Sequence, residues 1–163
     1  MAAATVSADP AIRALQDRMD ITDVLYRYAS TIDRFDLDGL RGVLADDLVA
    51  RYGNAEPVAG GDAVAGWIAE AIAGVVWQHH LLSVYHVEVE DDLARALVYH
   101  TSHQVFDDAP DAAKLLVGRY HNELRREHDG WRISRLVLEI LWGEDKTDAT
   151  GYLALIGGRG PEA

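Results

Sequence analysis

The period of the hydrophobic residues changes once along the chain, at Gly74, and few folds accommodate that change. Upstream, apolar residues recur every three or four positions; downstream, they alternate. Ile21, Leu25, Tyr28 and Ile32 form the stripe of a first helix expected over about Ala11 to Ile32, with Asp20 able to cap a break within it. Asp36 can cap a short second helix whose buried side is Leu37, Leu40, Val43 and Leu44. Leu48 to Tyr52 reads as a strand, Gly60 and Gly61 as a turn, and Asp62 as the cap of a third helix carrying Val64, Trp67, Ile68 and Ile72 inward. Beyond Val75 three or four long strands are expected, at Val76 to Val89, Leu93 to Phe106, Lys114 to Glu127 and Trp131 to Trp142. Their connections are hairpin material: Glu90-Asp91-Asp92, the stretch DDAPDAA, and His128-Asp129-Gly130. Helices followed by antiparallel strands make an α+β fold. The expected form is a cone-shaped roll, three N-terminal helices packed on a curved antiparallel sheet with a conical cavity between the layers.

A chain of 163 residues suits one domain able to enclose both a core and a ligand-sized pocket. The expected division is a flexible arm over residues 1–10, a single domain over 11–145 and a tail over 146–163. No apolar run approaches the roughly 20 residues of a membrane span, and the N-terminus lacks the pattern of a secretory leader, so a cytoplasmic protein is expected. The absence of cysteine removes disulfides, thiolate metal ligands and cysteine nucleophiles. A net charge of −12 repels nucleic acid and anionic membrane, which leaves a small neutral or apolar molecule as the expected partner.

Asp33 interrupts the apolar pattern of the first helix. It lies on the flank of the buried stripe, where it either caps the next helix or borders an interior space beside Tyr28. Seven histidines fall between residues 79 and 128, together with Tyr85, Tyr99 and Tyr120. Strand alternation puts His79, Leu81, Ser83 and Tyr85 on one face and His80, Leu82, Val84 and His86 on the other, so one histidine of the pair faces in. On the following strand Tyr99, Thr101 and His103 share a face opposite His100 and Ser102. A bulge would exchange the two sets, which leaves His100 and His103 as alternatives.

Metal binding is disfavoured, because neighbouring His79 and His80 point to opposite faces and no HExxH motif is present. There is no GxSxG elbow for a serine nucleophile, and GGDAVAG has neither the lysine nor the spacing of a phosphate loop. Acid–base chemistry by an aspartate and a histidine facing one another requires no cofactor. The carboxylate orients the ring and stabilises its protonated form, so the other ring nitrogen can take and return a proton.

These residues resemble the SnoaL-like, scytalone-dehydratase-like branch of the nuclear-transport-factor-2-like superfamily over about Ile21 to Glu144. Asp33, the DxDxL pattern at Asp36 to Leu40 and Tyr52 fall in register with scytalone dehydratase without a gap, and WQHH at Trp77 to His80, DGWRI at Asp129 to Ile133 and WGE at Trp142 to Glu144 also match. The resemblance implies that Asp33 is the carboxylate of a catalytic pair, His79 its imidazole, and Tyr52 a hydroxyl on the substrate oxygen or an ordered water. It matches Tyr28 to a tyrosine of a related bile-acid dehydratase and places His103, or else His100, at a second catalytic position. Ile32 stands where scytalone dehydratase has a tyrosine, the Ser and Asn of the third long strand have no clean match across Gly118 to His121, and a basic residue of the relatives falls on Ile140 or Leu141. These departures imply a more apolar substrate.

The expected function is thus a cofactor-independent lyase or isomerase, dehydratase-like, with Asp33, His79 and His103 catalytic and no metal. Tyr28, Tyr52, His100, Tyr120 and Trp67 are expected to contact a cyclic, polyketide-like or steroid-like substrate. A non-catalytic ligand-binding or assembly module is the alternative, and an epoxide hydrolase the second, although that chemistry wants an Asp–Arg–Asp set with no third member here. A homo-oligomer, dimer or trimer, is expected through the outer sheet face, there taken to carry His80, Leu82 and Val84.

Overall fold

The computed structural model describes residues 9–147. The first helix, α1 (Pro10–Asp33), starts at Asp9, whose carboxylate accepts the Ala11 N–H at 2.9 Å, with Pro10 in the first turn where no N–H is needed. It passes Asp20 without a break. It stops in a Schellman arrangement: the Phe35 N–H donates to the Ile32 carbonyl and the Asp36 N–H to the Thr31 carbonyl, with Phe35 at a left-handed φ of 58°. That stop leaves Asp33 in the last helical position.

Asp36 does cap α2 (Leu37–Arg41), accepting the Gly39 N–H at 2.8 Å. Val43 and Leu44 are not helical; Leu44 opens β1 (Leu44–Tyr52), which begins four residues before the expected strand. After β2 (Val58–Ala59), α3 (Gly61–Ala71) is entered through Gly60 without a side-chain cap, because Asp62 is engaged by Arg41 in the first turn. The long strands follow as β3 (Val75–Glu90), β4 (Leu93–Phe106), β5 (Ala109–Glu127) and β6 (Gly130–Thr147). The expected arm and tail lie outside the described residues except at their inner ends, where α1 takes in Pro10 and β6 continues to Thr147.

The sheet order is β2-β1-β6-β5-β4-β3. It is mixed rather than purely antiparallel, because β1 pairs with β6 in parallel while the other neighbours are antiparallel. The sequence signals hairpins for β3 to β6, but nothing local specifies the pairing of β1, which is far from β6 along the chain. Bulges at Val75/Trp77, Val84/His86, Val117/Gly118 and Glu123/Leu124 interrupt the ladders, and such interruptions bend a sheet.

The helices pack on one face of this sheet. Ile21, Leu25, Tyr28 and Ile32 of α1, with Val64 and Ile68 of α3, bury against Val87, Ala96, Val98, Leu124, Ile133 and Leu136. Each large aliphatic side chain so buried contributes about 1.5–3 kcal/mol relative to exposure. The opposite face is open, with Leu81, Tyr85 and Trp142 exposed.

Candidate active site

The C-terminus of α1 meets β3, an edge strand whose outward backbone groups have no neighbouring strand to bind. Asp33 fills that gap. One carboxylate oxygen accepts the backbone N–H of His80 at 3.0 Å and the other lies 2.6 Å from Nδ1 of the same residue. A proton on Nδ1 shared with the carboxylate leaves Nε2 as the working nitrogen, and Nε2 makes no hydrogen bond among the described residues. The pair is mostly withdrawn from solvent, the His80 side chain 10% and the Asp33 side chain 22% exposed. Among the described residues Asp33 has no arginine or lysine partner; its ion-pair contact is to His80.

The histidine held by Asp33 is therefore His80, not His79. Alternation dictates the rest: Gln78, His80, Leu82 and Val84 face the helices, and His79, Leu81, Ser83 and Tyr85 face out. Directly opposed residues of an antiparallel pair share a face, and His79 is paired with His103 whereas His100 is paired with Leu82. No register shift falls between His100 and His103, so the second interior imidazole is His100 and the expected assignment to His103 is reversed. His79 and His103 form an external row with Trp77, successive ring centroids 6.4 Å apart. The motif WQHH could not by itself show which histidine faces in. Burial of Gln78, an odd number of positions from His79, decides it.

His100 is 3% exposed and lies 6.1 Å from His80 between ring centroids, the planes nearly perpendicular. Neither of its nitrogens has a partner among the described residues. Burial, reinforced by the nearby His80, pushes its pKa down to about 4, so the ring is neutral at pH 7. Gly118 lies behind it, where a Cβ would come within 2.7 Å of the Glu139 carbonyl and 3.4 Å of His100 Nε2.

The tyrosines expected at the site are brought together. Tyr28 and Tyr52 share a hydrogen bond of 2.9 Å between hydroxyls. Tyr120 packs edge-on against Tyr28 at 5.9 Å and tilted against His100 at 4.7 Å, while Trp67 stacks flat on Tyr52 at 4.5 Å. Burial raises the pKa of all three phenols above the ordinary value, so they remain protonated donors. Among the described residues no group of three or more His, Asp or Glu side chains is placed to hold a metal ion. The arrangement offers a carboxylate-oriented imidazole, a neutral imidazole and protonated phenols between apolar walls. It is suited to moving a proton on an uncharged molecule.

Residues 13–137 match the SnoaL-like domain. The chain belongs to the SnoaL-like family. An uncharacterized protein of Mycobacterium tuberculosis is 28% identical over 129 residues, covering 77% of this chain and 86% of that one. Two solved structures share the SnoaL-like fold. One, from Novosphingobium aromaticivorans and named for scytalone dehydratase, superposes with a TM-score of 0.77 at 15% identity, over 83% of this chain and 91% of its own. The other, a hexachlorocyclohexane dehydrochlorinase from Novosphingobium barchaimii, gives 0.76 at 14% identity, over 83% and 94%. No helix among the described residues of this SnoaL-like chain is long and apolar enough to cross a membrane.

Proposed function

We infer that the protein is a cofactor-independent lyase or isomerase in which His80, oriented by Asp33, moves a proton next to a carbonyl of a neutral cyclic molecule. The observation that carries this is the 2.6 Å contact between His80 Nδ1 and Asp33, with the His100 ring 6.1 Å from His80 and Tyr120 tilted against His100 at 4.7 Å. In the first step Nε2 of His80 takes a proton from the carbon beside the carbonyl, and the C–H electron pair moves onto the carbonyl oxygen. The enolate oxygen is held by the one hydroxyl proton that the Tyr28–Tyr52 hydrogen bond leaves free, and the imidazolium is held by the Asp33 carboxylate. In an isomerisation the imidazolium returns the proton to another carbon. In a dehydration the enolate electrons form the carbon–carbon double bond and expel a β-hydroxyl, which leaves as water with the proton from His80. General acid–base assistance is worth about 10²–10⁴-fold, and positioned donors add a comparable factor.

His100 enters as a neutral hydrogen-bonding group. Its depressed pKa rules against a charged acid at neutral pH. The two structural relatives are named for eliminations, a dehydratase and a dehydrochlorinase, which agrees with a proton-abstracting site. The lack of an arginine or lysine partner for Asp33 among the described residues favours an uncharged substrate and speaks against the Asp–Arg–Asp chemistry of an epoxide hydrolase. The test is a screen of cyclic hydroxy ketones for water loss, followed spectroscopically as the conjugated enone forms. Turnover that survives both Asp33→Asn and His80→Ala rejects the mechanism.

A ligand-binding module is the second reading, supported by the buried nitrogens of His100 and the buried oxygen of Asn122, which have no hydrogen-bond partner among the described residues and could bind a molecule without turning it over. A homo-oligomer remains part of the proposal, on a changed surface: the open face presents Leu81, Tyr85 and Trp142, whereas His80, Leu82 and Val84 face the helices.

A further inference from the structure

Gln78 is a polar side chain only 5% exposed, two residues before His80 on the same inward face of β3. Its Nε2 donates to the carbonyl of Ile32 at 2.6 Å, and that carbonyl belongs to the peptide unit whose nitrogen is that of Asp33. Its Oε1 accepts from Gln104 Nε2 at 3.1 Å across the β3–β4 pair, which fixes the orientation of the Gln78 amide with its NH2 toward α1. The same carbonyl accepts the Phe35 N–H that closes the helix, so Gln78 grips the point at which α1 ends. Two links from Asp33 to His80 run beside it, one to the backbone and one to the ring.

We propose that Gln78 is a positioning residue: it clamps the Ile32–Asp33 peptide to the strand carrying His80 and thereby sets the depth at which the carboxylate meets the imidazole. This rests on the acid–base reading of the pair, but the clamp itself can be tested without turnover. The geometry explains why an uncharged amide suits the position. A carboxylate there would face the Ile32 carbonyl oxygen with no proton to offer, and an aliphatic residue would leave that carbonyl bound only by the Phe35 N–H. A displacement of about 1 Å at a catalytic group can cost about 10²-fold in rate, and loss of a supporting hydrogen bond commonly costs 10- to 100-fold.

The experiment uses the full chain with labelled histidine and compares wild type, Gln78→Met and Gln78→Glu by NMR. The Asp33-bonded Nδ1 proton of His80 is identified by its loss in Asp33→Asn. In Gln78→Met, which keeps the volume and removes the donor, the signal should move upfield or broaden away while circular dichroism stays native. In Gln78→Glu the signal should be lost at pH 8 and return as the buried carboxyl takes up a proton toward pH 5 and again offers a donor to the Ile32 carbonyl. Where an active substrate is known, kcat should fall 10- to 100-fold in Gln78→Met with KM little changed. A wild-type His80 signal in Gln78→Met, or a signal in Gln78→Glu that does not change with pH, overturns the clamp. If Gln78→Met does not fold, the pH response of Gln78→Glu decides. Loss of the clamp signal in a protein that turns over nothing would uphold the positioning role while counting against the proposed reaction, so the two failures are separable.

Discussion

At the scale of single residues, adjacent histidines have opposite duties. Substitution of His80 by alanine should lower kcat by about 10²–10⁴-fold, the usual worth of a positioned base, whereas His79→Ala and His103→Ala should leave it within about threefold, because both rings lie on the open face. Steady-state kinetics on one hydroxy ketone would check all three. His100 supplies a pH dependence of stability. Its folded pKa of about 4 lies below the ordinary 6.5, so as pH falls the unfolded chain takes up the proton first. Its stabilising effect is complete above about pH 6.5 and is lost between there and about pH 4. That shift is equivalent to roughly 3 kcal/mol at most. Urea midpoints measured across this range should fall more steeply for wild type than for His100→Leu, which has no proton to bind.

At the scale of elements, the end of α1 matters most, because one helix turn delivers both the carboxylate and the chain reversal into α2. Phe35 adopts the left-handed backbone there without being glycine. That conformation costs an L-residue about 1–2 kcal/mol, part of which glycine would offset by its greater freedom when unfolded. Phe35→Gly should therefore raise the unfolding free energy by up to about 1 kcal/mol in a denaturant titration. Gly118 is the converse case. A Cβ would stand 2.7 Å from the backbone carbonyl of Glu139, so Gly118→Ala should separate β5 from β6 beside His100 and lower the thermal midpoint by several degrees.

At the scale of the whole molecule, charge joins what the hydrophobic core leaves apart. Arg126 binds Asp17 of α1 at 2.8 Å and Asp92 of the β3–β4 turn at 2.9 Å, with its guanidinium 4.5 Å from the centre of the Trp131 ring. The hydrogen bond from Arg126 holds the Asp17 carboxyl below its ordinary 3.8, so this contribution is present above about pH 4 and is lost as pH falls further. Arg126→Met should destabilise by about 2 kcal/mol near neutrality and flatten the loss of stability as pH falls below about 4, as read from acid-unfolding curves. The open face gives a second expectation at this scale: light scattering should report a dimer or trimer, and Leu81→Asp with Tyr85→Asp should reduce it to a monomer with an unchanged circular dichroism spectrum.

Local chemistry was enough to read much of this molecule from its residues. The 3.6-residue stripe of α1, the Asp36 cap of α2 and the turns after Glu90 and Glu127 depend on near neighbours in the chain, and each lies close to its expected place, whereas the expected DDAPDAA connection shrinks to Asp107-Asp108 because β5 already begins at Ala109. The same holds for the aromatic company of Tyr28, Tyr52, Trp67 and Tyr120, whose size and apolar bodies drive them inward. Other features were decided only in three dimensions. The parallel seat of β1 on β6 depends on contacts between distant segments, and the choice of His80 over His79 depends on which face of β3 the helices cover. A period of two states that neighbours differ but not which of them is buried. That answer comes from the end of α1, where Asp33 binds His80 and the Ile32 carbonyl accepts from Gln78, contacts that need the inward face of β3 to hold Gln78, His80 and Leu82.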